Sequence, residues 1–383
     1  MLKFPLAITA GELLTPLDGP RAAGGTWEAI RAGRRVERHN AVDDSLLEGE
    51  PWLDRSLRLG LAVARRALAG TGTDDMRLFC GTSKGPMGVM LESCARLRRG
   101  EPIMPEQALQ VALGSGALGA LLGERLGLPA GNTFVAACSS GMHALHAAAQ
   151  ALWRGECRRA LVVAADASLQ PLFEASFARL GVLAPADQQG VRRCRPFAPE
   201  GRGFFLSEAG AAVVLENAQL QTARAKPALA LLEASWIGGD GTGLVAMDET
   251  TATLRQGLAA CLPPLPPAFV HAHATGTSHD AYELAAIRAV CGAEVEVFSH
   301  KGWLGHSLGA AGLVSVVLSA QCHARGETLT GTAVASGSTS LTVAQGFGGH
   351  VAVARLRGSV TPTQATPPAN AGGGATDPQS LPG

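Results

Sequence analysis

Phe134-Val-Ala-Ala-Cys138-Ser-Ser-Gly-Met-His143 is the stretch on which the fold turns. The apolar run 133–137 has the length of a buried strand. Residues 139–153 continue with small and apolar side chains at helical spacing. A cysteine therefore stands at the joint between strand and helix. Backbone N–H groups at a helix start lack partners and the dipole is positive there. Both effects predict a lowered thiol pKa and a thiolate at Cys138. Ser139, Ser140 and Gly141 leave room for a ligand beside the sulfur. Taken alone, the segment fits a buried structural cysteine as well as a nucleophile.

The same pattern recurs in the second half, where a strand at 295–298 leads through a Gly/Ser-rich turn into a long helix at 305–323. Between and around these lie further strands at 2–9, 77–80, 160–164, 203–216, 228–236, 269–272, 342–345 and 350–355. Helices are expected at 26–32, 53–68, 105–126 and 281–291, with a short one between 216 and 228. Alternation of short apolar strands with helices predicts an α/β protein with a largely parallel sheet. Two helices rich in small residues predict a close-packed central pair sandwiched between sheets.

Composition agrees. Of 383 residues, 46% are hydrophobic and 17% charged, with 48 glycines, enough for a large core with tight turns. Formal net charge is zero, which argues against nucleic acid or an anionic membrane as partner. The eight cysteines include no C-x-x-C pair, so no zinc or redox dithiol is expected, and they read as reduced and cytoplasmic. Glu12 interrupts the apolar start, which reads as a first strand and not a signal peptide. The longest apolar run, 309–320, falls short of the roughly 20 residues a membrane span needs. Residues 359–383 are rich in Pro, Gly, Thr, Ala and Ser and read as a disordered tail.

Three further constellations follow Cys138. His271-Ala-His273-Ala-Thr275-Gly-Thr277 comes after a strand, with Asp280 and Glu283 beyond it. Ser299-His300-Lys301-Gly-Trp-Leu-Gly305-His306 brackets another strand-to-helix turn. Gly346-Phe347-Gly348-Gly349 is a turn able to bring a backbone N–H against a substrate. Singly each is weak; four in this order are far more specific.

In that order they resemble the β-ketoacyl-acyl carrier protein synthases of the thiolase superfamily, elongating Cys-His-His type. The resemblance covers roughly 1–357 and includes the segment Arg195-Pro-Phe-Ala-Pro-Glu-Gly-Arg. It implies a thiolase-like fold: two similar α/β halves with two mixed sheets in an α-β-α-β-α layering, 1–217 with the cysteine and 218–357 with the histidines and lysine, before a tail at 358–383. It implies Cys138 as nucleophile, His273 and His306 as donors to an enolate, and Lys301 paired with Glu283 to orient them. The N–H groups of Cys138 and Phe347 would form an oxyanion hole, with Gly348, Thr275 and Thr277 also on the substrate. No resident cofactor or metal is implied, because substrates arrive on the phosphopantetheine arm of an acyl carrier protein. A homodimer or a ketosynthase heterodimer is implied as well.

Several positions depart from the family pattern. Ala274 replaces a Gly, His300 and Gly302 flank the lysine in place of Thr and Ser, Val351 stands for Asn and Asp166 for Glu. The stretch from His273 to Asp280 is one residue short, and the chain is shorter before Ser56 and between Trp236 and Phe269. These departures suggest a specialised, polyketide-like member, with a non-catalytic chain-length partner subunit as the alternative. Arg55, Arg58, Arg65 and Arg66, and the cluster Arg192, Arg193 and Arg195, are candidate docking faces for an acidic carrier, or simply solvated faces.

Overall fold

The computed structural model describes residues 4–19, 25–37, 40–218, 227–245 and 247–359. Beyond Ser359 the expected tail lies outside the described residues, as does most of the short helix expected after 216.

Strand β1 (Leu6–Leu14) is followed by helices α1 (Thr26–Arg31) and α2 (Arg55–Leu68) and strand β2 (Met76–Gly81). Helices α3 (Met87–Arg98), α4 (Pro105–Leu113) and α5 (Ala117–Leu126) lead to β3 (Asn132–Phe134). Then come α6 (Ser140–Trp153), β4 (Arg159–Asp166), α7 (Pro171–Arg179) and β5 (Ala209–Asn217). The second half runs β6 (Ala230–Gly239), α8 (Ala252–Cys261), β7 (Phe269–His271), α9 (His279–Cys291) and β8 (Glu296–Phe298). It closes with α10 (Lys301–Leu304), α11 (Ala311–Arg325), β9 (Thr339–Gly346) and β10 (His350–Arg357).

Among the described residues the strands join in one ten-stranded sheet, ordered β3-β2-β4-β5-β1-β6-β10-β9-β7-β8. Each group of five has the same internal order, the second reversed about the β1–β6 seam. That seam is antiparallel and only three residue pairs long, Leu6↔Leu232 to Ile8↔Ala230. The two separate sheets of the sequence reading are thus continuous, because the seam pairs backbone groups that would otherwise be bare at two buried edges. The sheet is mixed, as the resemblance implies, where strand–helix alternation alone predicts a largely parallel one. β2 is parallel to β3 and β4, and β7 to β8 and β9, but β4, β5 and β1 pair antiparallel, as do β9, β10 and β6. The four-residue spacing from Gly346 to His350 allows only a hairpin between β9 and β10.

Strand alternation sorts the side chains into layers. From β4, Leu161 and Val163 face outward onto α2 and α5, through Leu57, Leu61, Leu118 and Leu122. Val162 and Ala164 face inward onto α6 and α11. From β10, Ala352 and Ala354 face the same central helices, while Val351 and Val353 face α8 and α9 through Leu258 and Ile287. The result is helices, strands, two central helices, strands, helices. Small residues let the central pair touch. A Cβ on Gly141 would lie 3.0 Å from the Cβ atoms of Ala164 and Leu313, and one on Gly312 would lie 2.6 Å from Met142 Cγ.

Some elements differ from the sequence reading. β3 ends at Phe134, and Val135 is 51% exposed, because the chain then bends: Ala137 has φ 47°. The strand expected from 203 begins at Ala209, since Phe204 and Leu206 instead bridge singly to Leu183 and His306. The helix expected from 305 starts at Ala311, after a 3-10 turn at Leu308–Ala310 that opens with Leu308 at φ 47°. Helices α3, α7, α8 and α10 are not expected from the sequence; α10 is a single four-residue turn, and α3, α7 and α8 carry no strong apolar stripe.

Candidate active site

Cys138 occupies the bend between β3 and α6, two residues before the helix begins. Ser140 fixes the bend: its Oγ accepts from Ala136 N at 2.9 Å and donates to Ala137 O at 2.6 Å. Ser139 Oγ donates to Ala136 O at 3.1 Å. The sequence therefore places serines here for the backbone as well as for room. The thiol itself is buried at 8% exposure among Phe177, Phe204 and Leu308. Burial pushes its pKa up to about 11, against the pull of Lys84 and Lys301 and with a further upward push from Asp166. This reverses the expected thiolate: at this depth desolvation outweighs the cations.

A cavity of about 250 Å³ opens onto Cys138 and is lined by His273, His306, Thr275, Thr277, Phe347 and Gln345 among others. The C-terminal ends of β3, β7, β8 and β9 all deliver residues to it. The His273 and His306 rings meet edge to face, with centroids 5.5 Å apart. Burial, and then the Lys301 charge, hold both imidazoles well below their ordinary pKa, so both are neutral at pH 7. Phe204 packs edge-on against His306 at 4.9 Å. The 3.2 Å contact between the Thr275 and Thr277 hydroxyls puts two polar groups on one wall.

Lys301 and Glu283 do not line the cavity; both are buried behind it. Their charges do interact, Glu283 being the first group to oppose the effect of burial on Lys301, and the two share a grip on one residue. Lys301 Nζ donates to the His273 carbonyl. Glu283 accepts from His273 N at 2.7 Å and from Ala274 N at 2.8 Å. A loop leaving a strand has bare N–H groups, and a carboxylate one turn into the next helix satisfies them. Asp280, one turn earlier, accepts from Thr275 N and Gly276 N, both at 2.9 Å, and from Phe197 N at 3.0 Å. Burial raises Glu283 to about 7, and burial lowers Lys301. Gly348 also departs from expectation: it is exposed, and its N–H donates to Leu244 O at 2.9 Å, so Gly346 and Phe347 supply that wall.

His300, flanking the lysine, completes a buried polar chain: His271 Nε2 to His300 Nδ1 at 3.0 Å, Ser315 Oγ to His300 Nδ1 at 3.2 Å, and His271 Nδ1 to Ser319 Oγ at 3.1 Å. It ties β7 to α11 behind the cavity.

Sequence reasoning missed Lys84. Its ammonium lies 5.0 Å from the Phe173 ring and 5.3 Å from the Phe177 ring and donates to Ser83 Oγ at 3.1 Å. The available signal was topological: β2 runs parallel to β3 with Gly81 opposite Phe134, so the turn after β2 must lie beside the Cys138 bend. Asp166 anchors that turn, accepting from Ser83 N at 2.8 Å and Ser83 Oγ at 3.0 Å. The basic face expected on α2 is largely absent. Only Arg65 and Arg66 are exposed there; Arg55 is bound to Glu208 at 2.7 Å and to Asp44, and Arg65 to Glu48 at 2.8 Å. Arg192, Arg193 and Arg195 likewise face Glu174, Asp187 and Glu200.

The chain aligns with 3-oxoacyl-[acyl-carrier-protein] synthase 2 of Mycobacterium leprae at 30% identity over 275 residues, 68% of this chain and 66% of that one. Erythronolide synthase EryA2 of Saccharopolyspora erythraea is 32% identical over 288 residues, 70% of this chain and 8% of that much longer one. Among solved structures, the ishigamide ketosynthase/chain length factor superposes with a TM-score of 0.79 at 23% identity, covering 94% of this chain and 100% of that one. That likeness is one of fold, and it is thiolase-like. The beta-ketoacyl synthase N-terminal domain matches residues 15–221, which carry Cys138, and the C-terminal domain matches 259–330, which carry His273, Lys301 and His306. With both domains present in order, and their residues converging on one cavity, the chain belongs to the beta-ketoacyl synthase family.

Proposed function

We propose that this protein is a 3-oxoacyl-[acyl-carrier-protein] synthase that condenses an acyl group on Cys138 with a malonyl thioester. The observation that carries the reading is the meeting of Cys138, His273 and His306 in one cavity, with both imidazoles neutral. The Cys138 sulfur attacks the acyl thioester carbonyl; the carrier thiol leaves with the proton the cysteine gives up. The malonyl carboxylate then departs as carbon dioxide, and its C–C bonding pair becomes an enolate. His273 and His306 donate N–H groups to the enolate oxygen, a task for which neutral rings suffice. The enolate carbon attacks the acyl-Cys138 carbonyl, whose developing charge is met by the N–H groups of Cys138 and Phe347. Collapse breaks the C–S bond and expels the Cys138 thiolate, which takes a proton from water to restore the thiol. Lys301 and Glu283 act one step back, fixing the His273 backbone from both sides. No resident cofactor takes part.

The substrates would be delivered by an acyl carrier protein. One solved relative of the fold is a type II ketosynthase in complex with such a carrier. A second copy or a related subunit would pair along β3, which ends the sheet and leaves Val135 exposed beside it. The alternative, a non-catalytic partner subunit, draws on the likeness to a ketosynthase/chain length factor assembly. Incubating the purified chain with an acyl thioester separates the two. A mass increase at Cys138, absent in Cys138→Ala, supports the enzyme; no adduct at any substrate concentration refutes it.

A further inference from the structure

The cavity has two unlike ends. Phe177 and Phe204, 7% and 4% exposed, form its inner wall, while Tyr282, 41% exposed, stands at the rim with Ser278 and Glu249. An acyl chain on Cys138 belongs against the aromatic wall. The arm that brings it must cross the polar rim.

Gln345, near the end of β9, also lines the cavity. It is 4% exposed. Its Oε1 meets His279 Nε2 at 3.4 Å, and its Nε2 has no partner among the described residues. A buried amide left half-made costs more than the bond would contribute, so such a group implies a ligand that completes it. With Oε1 held by His279, Nε2 is the donor left over, so the ligand group that completes it must accept. The carbonyl of a secondary amide accepts, as does a keto oxygen; only the arm, and not an acyl chain held against the aromatic wall, runs past the polar rim.

We propose that Gln345, with His279 beside it, hydrogen-bonds a secondary amide of the carrier's prosthetic arm as the arm passes toward Cys138. The proposal rests on the ketosynthase reading and adds a positioning residue to it. The amide bond would fix the depth of the thioester carbonyl relative to the two imidazoles.

The test uses two acyl donors of equal length, one the thioester of N-acetylcysteamine, which carries an amide, the other the thioester of an unbranched alkanethiol. Acylation of Cys138 is followed by intact mass in the full chain and in Gln345→Met and Gln345→Leu. Selectivity for the amide donor, as a ratio of kcat/KM values, should fall about three- to tenfold, mostly through KM. Retained near-ultraviolet circular dichroism shows that each variant is folded. An unchanged ratio in folded variants overturns the proposal. So does a loss that follows a 3-oxo group on the acyl chain in place of the amide. Failure of the unsubstituted protein to take up either acyl group would instead overturn the ketosynthase reading beneath it, and that is seen before any variant is made.

Discussion

Raising the pH should accelerate alkylation of Cys138 without a plateau until well past pH 9. Burial holds the thiol at about 11, against an ordinary value of 9.0. At pH 7 the thiolate fraction is then about 10⁻⁴, against about 10⁻² for an ordinary cysteine, and it grows tenfold per pH unit. Between pH 7 and pH 9 the rate constant should therefore rise about a hundredfold. The assay is timed iodoacetamide labelling read by peptide mass spectrometry, with exposed Cys94 as an internal reference. Lys84→Met removes the cation that does most to oppose burial. In that variant, labelling of Cys138 at pH 8 should slow further relative to Cys94. A profile that levels off below pH 8 would refute the reasoning, since the helix start would then dominate over desolvation.

Other outcomes follow from the same structure. His273→Ala or His306→Ala should cut malonyl decarboxylation by about 10²- to 10³-fold while Cys138 still acquires an acyl group; equal loss of both half-reactions would contradict the assigned roles. Gly141→Ala puts a Cβ 3.0 Å from those of Ala164 and Leu313, and should cost about 1–3 kcal/mol in a urea unfolding curve. Acid should destabilise the fold. His271 is held down at about 3, and His273, His300 and His306 lie well below 6.5, so below pH 6.5 these four rings bind more protons in the unfolded chain than in the native one, against a smaller opposite contribution from Glu283, raised to about 7. Stability that is complete above pH 6.5 should drain away toward pH 3, and a flat urea midpoint over that range would count against it. Charge reversal at Arg65 and Arg66 should leave carrier-dependent turnover nearly unchanged, because Arg65 already faces Glu48; a strong salt-sensitive loss would restore that face as a docking surface.

Much of this was legible because strand–turn–helix joints carry their own punctuation. The Cys138 bend and the turn before α11 announce themselves through small residues flanking an apolar run. Partnerships across the fold were less visible. Lys301 and Glu283 feel each other's charge, as the resemblance implies, yet their hydrogen bonds go to the His273 and Ala274 backbone, whose bare groups need partners. The arginines of α2 read as a solvent face from their spacing, yet Glu208 on the neighbouring loop claims Arg55 from 153 residues away. The direction of the Cys138 shift was misjudged for a related reason: position at a helix start can be read along the chain, whereas depth cannot. Gln345 and Lys84 carry no local signature and acquire meaning only once parallel strands bring their ends together.

The seam between β1 and β6 carries more than its three residue pairs suggest. The sulfur comes from one side of it and both imidazoles from the other, so their separation is a property of how the two sides align. Relief of crowding or a slip in register among Leu6, Ile8, Ala230 and Leu232 would act like a loosened joint in a pair of callipers. The jaws would misalign although neither had been touched. Leu6, Ile8, Ala230 and Leu232 are all fully buried, so substitutions along that line would be read out in melting temperature and in the alignment of the jaws together.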